Sequence, residues 1–137
     1  MFNDLSSLLA YLRTRRSGRP RDLVGPGPDA EQLRRILAIA ARTPDHGKLA
    51  PWRFIHVSRE RRAAFAEALE AALRAGKPDE PLARLEIEAA HRFATQAPEL
   101  VILVSSPVEG TKIPLWEQEL SCGAVAMNLL HATHALG

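Results

Sequence analysis

The chain has 137 residues, 46% of them hydrophobic and 25% charged, with a formal net charge of +2 and a pI near 9.1. That is the size of one domain, residues 1–137, too apolar for a disordered chain and without any apolar run long enough to cross a bilayer. The mild positive charge falls short of the sustained basic face of a dedicated nucleic-acid binder, and a single cysteine, Cys122, fits a reducing cytoplasm because it has no partner for an internal disulfide.

Asp4 is placed to cap a first helix whose apolar positions Leu5, Leu8, Leu9 and Leu12 repeat at i, i+3, i+4 and i+7, and Gly18 and Pro20 stop it. Asp4, Ser6 and Ser7 also interrupt this end before an apolar stretch of signal-peptide length forms. Beyond the turn-rich "VGPGPD", Asp29 and Gln32 form a capping-box pattern for a second helix, with Leu33, Ile36, Leu37, Ala40 and Ala41 as its buried stripe and Pro44 after its end. "TPDHGKLAPW" has loop chemistry, and "RFIHVS" after it reads as a strand with Phe54 and Ile55 in the core. Ser58 opens an alanine-rich helix closed by Gly76, Lys77 and Pro78. A further helix from about Pro81 to Thr95 has Leu82, Leu85, Ala89 and Phe93 on one face. "ELVILVSS" has the continuous apolar pattern of a strand buried on both faces. From about Pro114 to Leu136 runs a long helix, small and apolar almost all round, with Gly137 at its cap. Two strands against these helices make a marginal sheet, so the pattern predicts that the fold continues past Gly137 or is completed by a partner chain.

Charge placement says more than the total. Arg13, Arg15, Arg16, Arg19 and Arg21 gather near the N-terminus, around the serine of "RRSGR". Guanidinium groups recognise phosphate through paired, charge-assisted hydrogen bonds, so this corner reads either as an anion site or as a solvated, positively charged helix end. Arg42, Asp45, His46, Lys48 and Trp52, within residues 41–52, lie on or beside a loop held by two prolines, the kind of stiffened polar loop on which binding sites form. Asp45 and His46 are adjacent, and adjacent side chains seldom point together, so an acid/base pair is not expected there. On the last helix, Ser121, Cys122, Gly123 and Ala124 make a thin stretch that serves either close packing or a close-approaching ligand. Cys122 has no base beside it and reads as a buried, inert thiol. His131 and His134 share a helix face without the further ligands of a zinc site.

Taken together, "RRSGR" after the opening helix, "RTPDHGKLAPW" leading into "RFIHV", and "WEQELSCGAVAMNLLHATHALG" resemble the compact bacterial FMN-dependent nitroreductases, in the expected order over nearly the whole chain. The resemblance implies an α+β fold, a three-layer α/β/α sandwich with a central sheet that is incomplete within these residues, since family members continue past the position of Gly137 with further flavin contacts and strands. It also implies FMN held by Arg15, Arg16 and Ser17, with Arg42 and His46 contacting the flavin in a site shared between two subunits. Arg19 matches a position that is basic in some members only. The implied protein is a cytoplasmic homodimer in which NAD(P)H reduces FMN and a nitroaromatic or quinone-like acceptor reoxidises it in a ping-pong cycle, with no nucleic acid or membrane as partner. Two other readings compete: a small basic module binding nucleic acid or an acidic partner, which explains only the arginines, and an inactive, truncated relative.

Overall fold

A computed structural model describes residues 2–77, 81 and 83–137. Its order is α1 (Leu8–Thr14), α2 (Ala30–Ala40), β1 (Trp52–His56), α3 (Arg62–Gly76), α4 (Arg84–Thr95), β2 (Val101–Ser105) and α5 (Leu115–Ala135), with short 3-10 turns at Pro20–Asp22, His46–Lys48 and Arg59–Arg61. Among the described residues this is an α+β arrangement, helices with one two-stranded sheet, and no helix is long and apolar enough to cross a membrane. The chain divides into two compact units, one of Met1–Ser17, Pro28–Ile55 and Ile102–Gly137, the other of Gly18–Gly27 and His56–Val101.

In the first unit, α2 packs against α5. The capping box starts α2 as the sequence predicts: the Asp29 carboxylate accepts from the backbone of Glu31 and Gln32 at 2.8 Å, and Gln32 returns an oxygen to the Asp29 N–H at 2.9 Å. Ile36 and Ala40 are buried and Leu33 and Leu37 half-buried; Ala41 is exposed because the helix has already ended there. On α5 the buried residues Gln118, Cys122, Val125 and Ala132 follow a single helical face.

The opening helix departs from expectation. Asp4 folds its carboxylate onto the Ser6 N–H (2.9 Å), and Ser7 caps the helix instead, accepting from Ala10 at 3.1 Å. Leu5, Leu8, Leu9 and Leu12 are all more than half exposed, and Tyr11 is the residue this short helix buries. The tyrosine wins because it offers both a ring and a hydroxyl: it packs between His131 and His134 of α5, and its Oη lies 3.1 Å from His131 Nδ1.

Hydrogen bonds from Ser106 N to Pro51 O and from Val57 N to Leu100 O flank the two strands, so the numbering rises along one as it falls along the other and the pair is antiparallel. Phe54 is half-buried, while its neighbour Ile55 is exposed: successive strand residues face opposite sides, and one side only is covered. Val101 to Val104 are all half-buried, so this strand is not enclosed on both faces as its continuous apolar run predicts.

In the second unit, α3 packs against α4. Ser58 precedes a 3-10 turn and α3 follows it; Pro78 and Leu82 lie outside the described residues. Helix α4 begins at Arg84, and Leu85, Ala89 and Phe93 are exposed where the sequence places a buried stripe. Ala90 and Ala94 are buried instead, with Ile87 and His91 half-buried. Two small residues let the helix approach close enough for the buried Arg62 side chain to donate to Ala94 O (2.9 Å) as well as to Val57 O (2.7 Å). A leucine or phenylalanine on that face would hold the two helices further apart.

Candidate functional site

All five residues singled out from the sequence, Arg15, Arg16, Ser17, Arg42 and His46, fall within the first unit. Arg15 to Ser17 form the exit of α1. The segment before the helix folds back along it: Asn3 N donates to Thr14 O (3.1 Å), Asp4 N donates to Thr14 Oγ1 (2.9 Å), and Asn3 Oδ1 accepts the Arg16 N–H at 2.8 Å. Asn3 takes a left-handed backbone (φ 53°), which asparagine tolerates better than most side chains.

These bonds fix where the arginines leave the helix. The Arg16 guanidinium lies 5.1 Å above the Phe2 ring, and Arg15 Nη1 donates to Ser17 Oγ at 3.4 Å. Because Ser17 accepts in that contact, its own hydroxyl hydrogen is available to another group. Among the described residues no carboxylate pairs with Arg15 or Arg16, so two adjacent positive charges stand uncompensated. Asn3 and Phe2 are the contributors that sequence reasoning missed. Neither carries a motif, and their part depends on the chain doubling back.

Arg42 and His46 lie beyond the end of α2. Thr43, buried, donates to Ala40 O (3.0 Å) and accepts from Asn128 Nδ2 (2.7 Å), which ties the helix end to α5. The loop is then drawn tight: Asp45 Oδ2 accepts the Ala50 N–H at 2.9 Å, and Gly47, Lys48 and Ala50 all adopt positive φ (78°, 54° and 46°). Non-glycine residues held there are a local cost that the surrounding bonds must impose. Asp45 is thus spent on the backbone and does not pair with His46. The imidazole reaches α5 instead, its Nδ1 2.8 Å from Glu117 Oε2.

His46 and Glu117, with Asp45, Pro51, Ile113, Gln118 and Ser121, line a shallow cleft. Gln118 shapes its rim: buried, it accepts from Val108 N (2.8 Å) and donates to Val108 O and Ile113 O (both 3.2 Å), pinning the segment ahead of α5. Glu117 and Gln118 were also missed by sequence reasoning, although two polar side chains opening an otherwise apolar helix were a signal. Among the described residues no hydrogen bond or ion pair joins Arg15, Arg16 or Ser17 to Arg42 or His46, and the Arg42 guanidinium has no protein partner.

On α5, Cys122 is buried, as expected. Gly123 and Ala124 are exposed, and a Cβ at Gly123 would meet nothing within 4 Å, so among the described residues no close packing requires the glycine. His131 and His134 do share a face, which they use to grip Tyr11.

The profile of the Nitroreductase family matches residues 12–137. Over 116 residues, 84% of this chain, the sequence is 36% identical to "Putative NAD(P)H nitroreductase YdjA" of Escherichia coli, in both strain K12 and O157:H7. Over 131 residues, 94% of this chain, it is 39% identical to the "Putative NAD(P)H nitroreductase" of Haemophilus influenzae. The matched chain spans 61% of the length of the Escherichia coli relatives and 67% of that of the Haemophilus influenzae relative.

Proposed function

The chain belongs to the nitroreductase family, and from that premise we propose that it is an FMN-dependent NAD(P)H oxidoreductase acting on nitroaromatic or quinone-like acceptors. The observation that carries the proposal is the exit of α1, where Arg15, Arg16 and Ser17 offer charged and hydroxyl donors with no counter-ion among the described residues. The chemistry of that donor set fits a phosphorylated flavin: a phosphate monoester carries about −1.5 to −2 charges near neutral pH, enough to justify clustering two guanidinium groups that otherwise repel.

In this reading the Arg15 fork and the Ser17 hydroxyl hold the phosphate, while Arg16, oriented by Asn3 and Phe2, favours negative charge gained by the bound ring. Arg42 and His46 supply a cation and an imidazole to the same ligand. When bound, FMN supplies the redox chemistry itself, reduction by NAD(P)H followed by reoxidation by the acceptor in ping-pong order, so the protein's task is binding, orientation and electrostatics.

The proposal extends to the assembly. Leu8, Leu9 and Leu12 on α1 and Leu115, Trp116 and Leu120 on α5 are all more than half exposed, and the bare surface at Gly123 is open to a second backbone. Apolar exposure of this kind marks interaction surfaces. The occupant we propose is a second copy of the chain, giving a homodimer with FMN at the subunit interface, each copy a single nitroreductase-like domain over residues 1–137, located in the cytoplasm.

The test is direct. The purified chain, incubated with FMN and desalted, is expected to be yellow and to bleach anaerobically with NADH or NADPH. A chain that stays colourless and gives no heat on titration with FMN overturns the proposal.

A further inference from the structure

The His46–Glu117 contact says more about the site than its motifs do. Glu117 sits in the first turn of α5, its side chain about one-third exposed, and reaches across 71 positions of sequence to an imidazole on a loop. A carboxylate that is ionised can only accept hydrogen bonds. With Glu117 ionised, the hydrogen shared at 2.8 Å belongs to His46 Nδ1, and Nε2 is the nitrogen left without a protein partner among the described residues. The loop leaves the ring little choice of place: Asp45 closes it on Ala50, and Gly47 passes so close to Ile113 that a Cβ there would lie 2.4 Å from its Cδ1.

We propose that Glu117 is a positioning residue: it fixes the tautomer and direction of His46, so that Nε2 is presented to FMN as an acceptor when the ring is neutral. This rests on the flavin reading of His46 given above. A purely structural role for the pair, a loop staple, would hold the same tautomer but make no demand on where Nε2 points.

The experiment combines nitrogen NMR of the imidazole rings with FMN titration, on the full chain labelled at histidine. The His46 signals are assigned by their loss in His46→Asn. Above the imidazole titration range, His46 of the parent chain is expected in the Nδ1–H form. Glu117→Ala shifts it toward the Nε2–H form that a free histidine side chain prefers and weakens FMN binding roughly tenfold, the scale of one hydrogen bond between neutral groups. Glu117→Gln, which keeps an acceptor oxygen at the same reach, retains most of the Nδ1–H form and most of the affinity. A parent chain in the Nε2–H form, or a Glu117→Ala chain with unchanged tautomer, overturns the inference. So does a tautomer change that leaves FMN affinity untouched, which would reduce Glu117 to a staple while the flavin reading stands. Failure of the parent chain itself to take up FMN is a different result: it removes the flavin reading, and the role of Glu117 toward FMN with it.

Discussion

Gly47 offers the sharpest quantitative test of the loop that carries His46. Replacing it by alanine asks two things of the structure at once. The backbone there has φ 78°, where a Cβ costs roughly 1–2 kcal/mol. The same Cβ would sit 2.4 Å from Ile113 Cδ1, but that atom is the far end of a rotatable side chain and gives way at about 0.5–1.5 kcal/mol. The backbone term is therefore the larger, and Gly47→Ala is expected to lose about 1.5–3.5 kcal/mol in all. A double-mutant cycle separates the two terms. Ile113→Val removes Cδ1 at its own cost of about 0.5–1.5 kcal/mol, and combined with Gly47→Ala it should recover only the steric part. Gly47→Asn should be milder than alanine, because asparagine tolerates the left-handed region. Urea unfolding followed by circular dichroism measures all four, with equal slopes required for the comparison. The reasoning fails if Gly47→Ala lies within about 0.5 kcal/mol of the parent, as an ordinary surface substitution would. It also fails if Ile113→Val restores the whole loss, since steric crowding would then be the entire effect.

Arg15→Ala should weaken FMN binding by about 1.5–3 kcal/mol, a charged hydrogen bond's worth, as read by calorimetric titration; an unchanged Kd removes Arg15 from the site. Arg62→Met should destabilise the chain by about 3–5 kcal/mol, because the Val57 and Ala94 carbonyls lose their buried donor and Glu99 its cation, with chemical denaturation as the measure. The Glu70 carboxyl is held below its ordinary value of 4.5, first by its hydrogen bond from Arg74 and then by that from His91. A carboxyl depressed by folding stabilises above its unfolded value and loses that contribution as pH falls through the folded one. The stability gap between the parent and Glu70→Gln is thus expected to be widest above pH 4.5 and to close on acidification; a gap independent of pH would contradict this.

Local signals in the sequence were legible where a few neighbouring residues decide the outcome. The Asp29–Gln32 capping box and the span of α5 follow from propensity and punctuation, and both appear at the expected places. Which face of a helix turns inward depends on what lies opposite. Leucines marked the stripe of α1, yet Tyr11 is buried because two histidines from α5 receive it; Phe93 marked α4, yet alanines face α3 because Arg62 needs the carbonyls behind them. The site divides the same way. Arg15, Arg16 and Ser17 stood out as a charged run, and the structure brings them together at one helix end. The partners of Asn3 and Glu117 could not be read, because each acts across a separation that no periodicity records, 13 residues to Arg16 and 71 to His46.

The doubling back of the first residues along α1 bears on how the protein should be handled. Phe2 and Asn3 form one wall of the cationic corner, so a purification tag or fusion partner joined just ahead of them would crowd the Arg16 guanidinium. A deletion of the first few amino acids, often regarded as harmless trimming, removes the ring and the amide that hold Arg16.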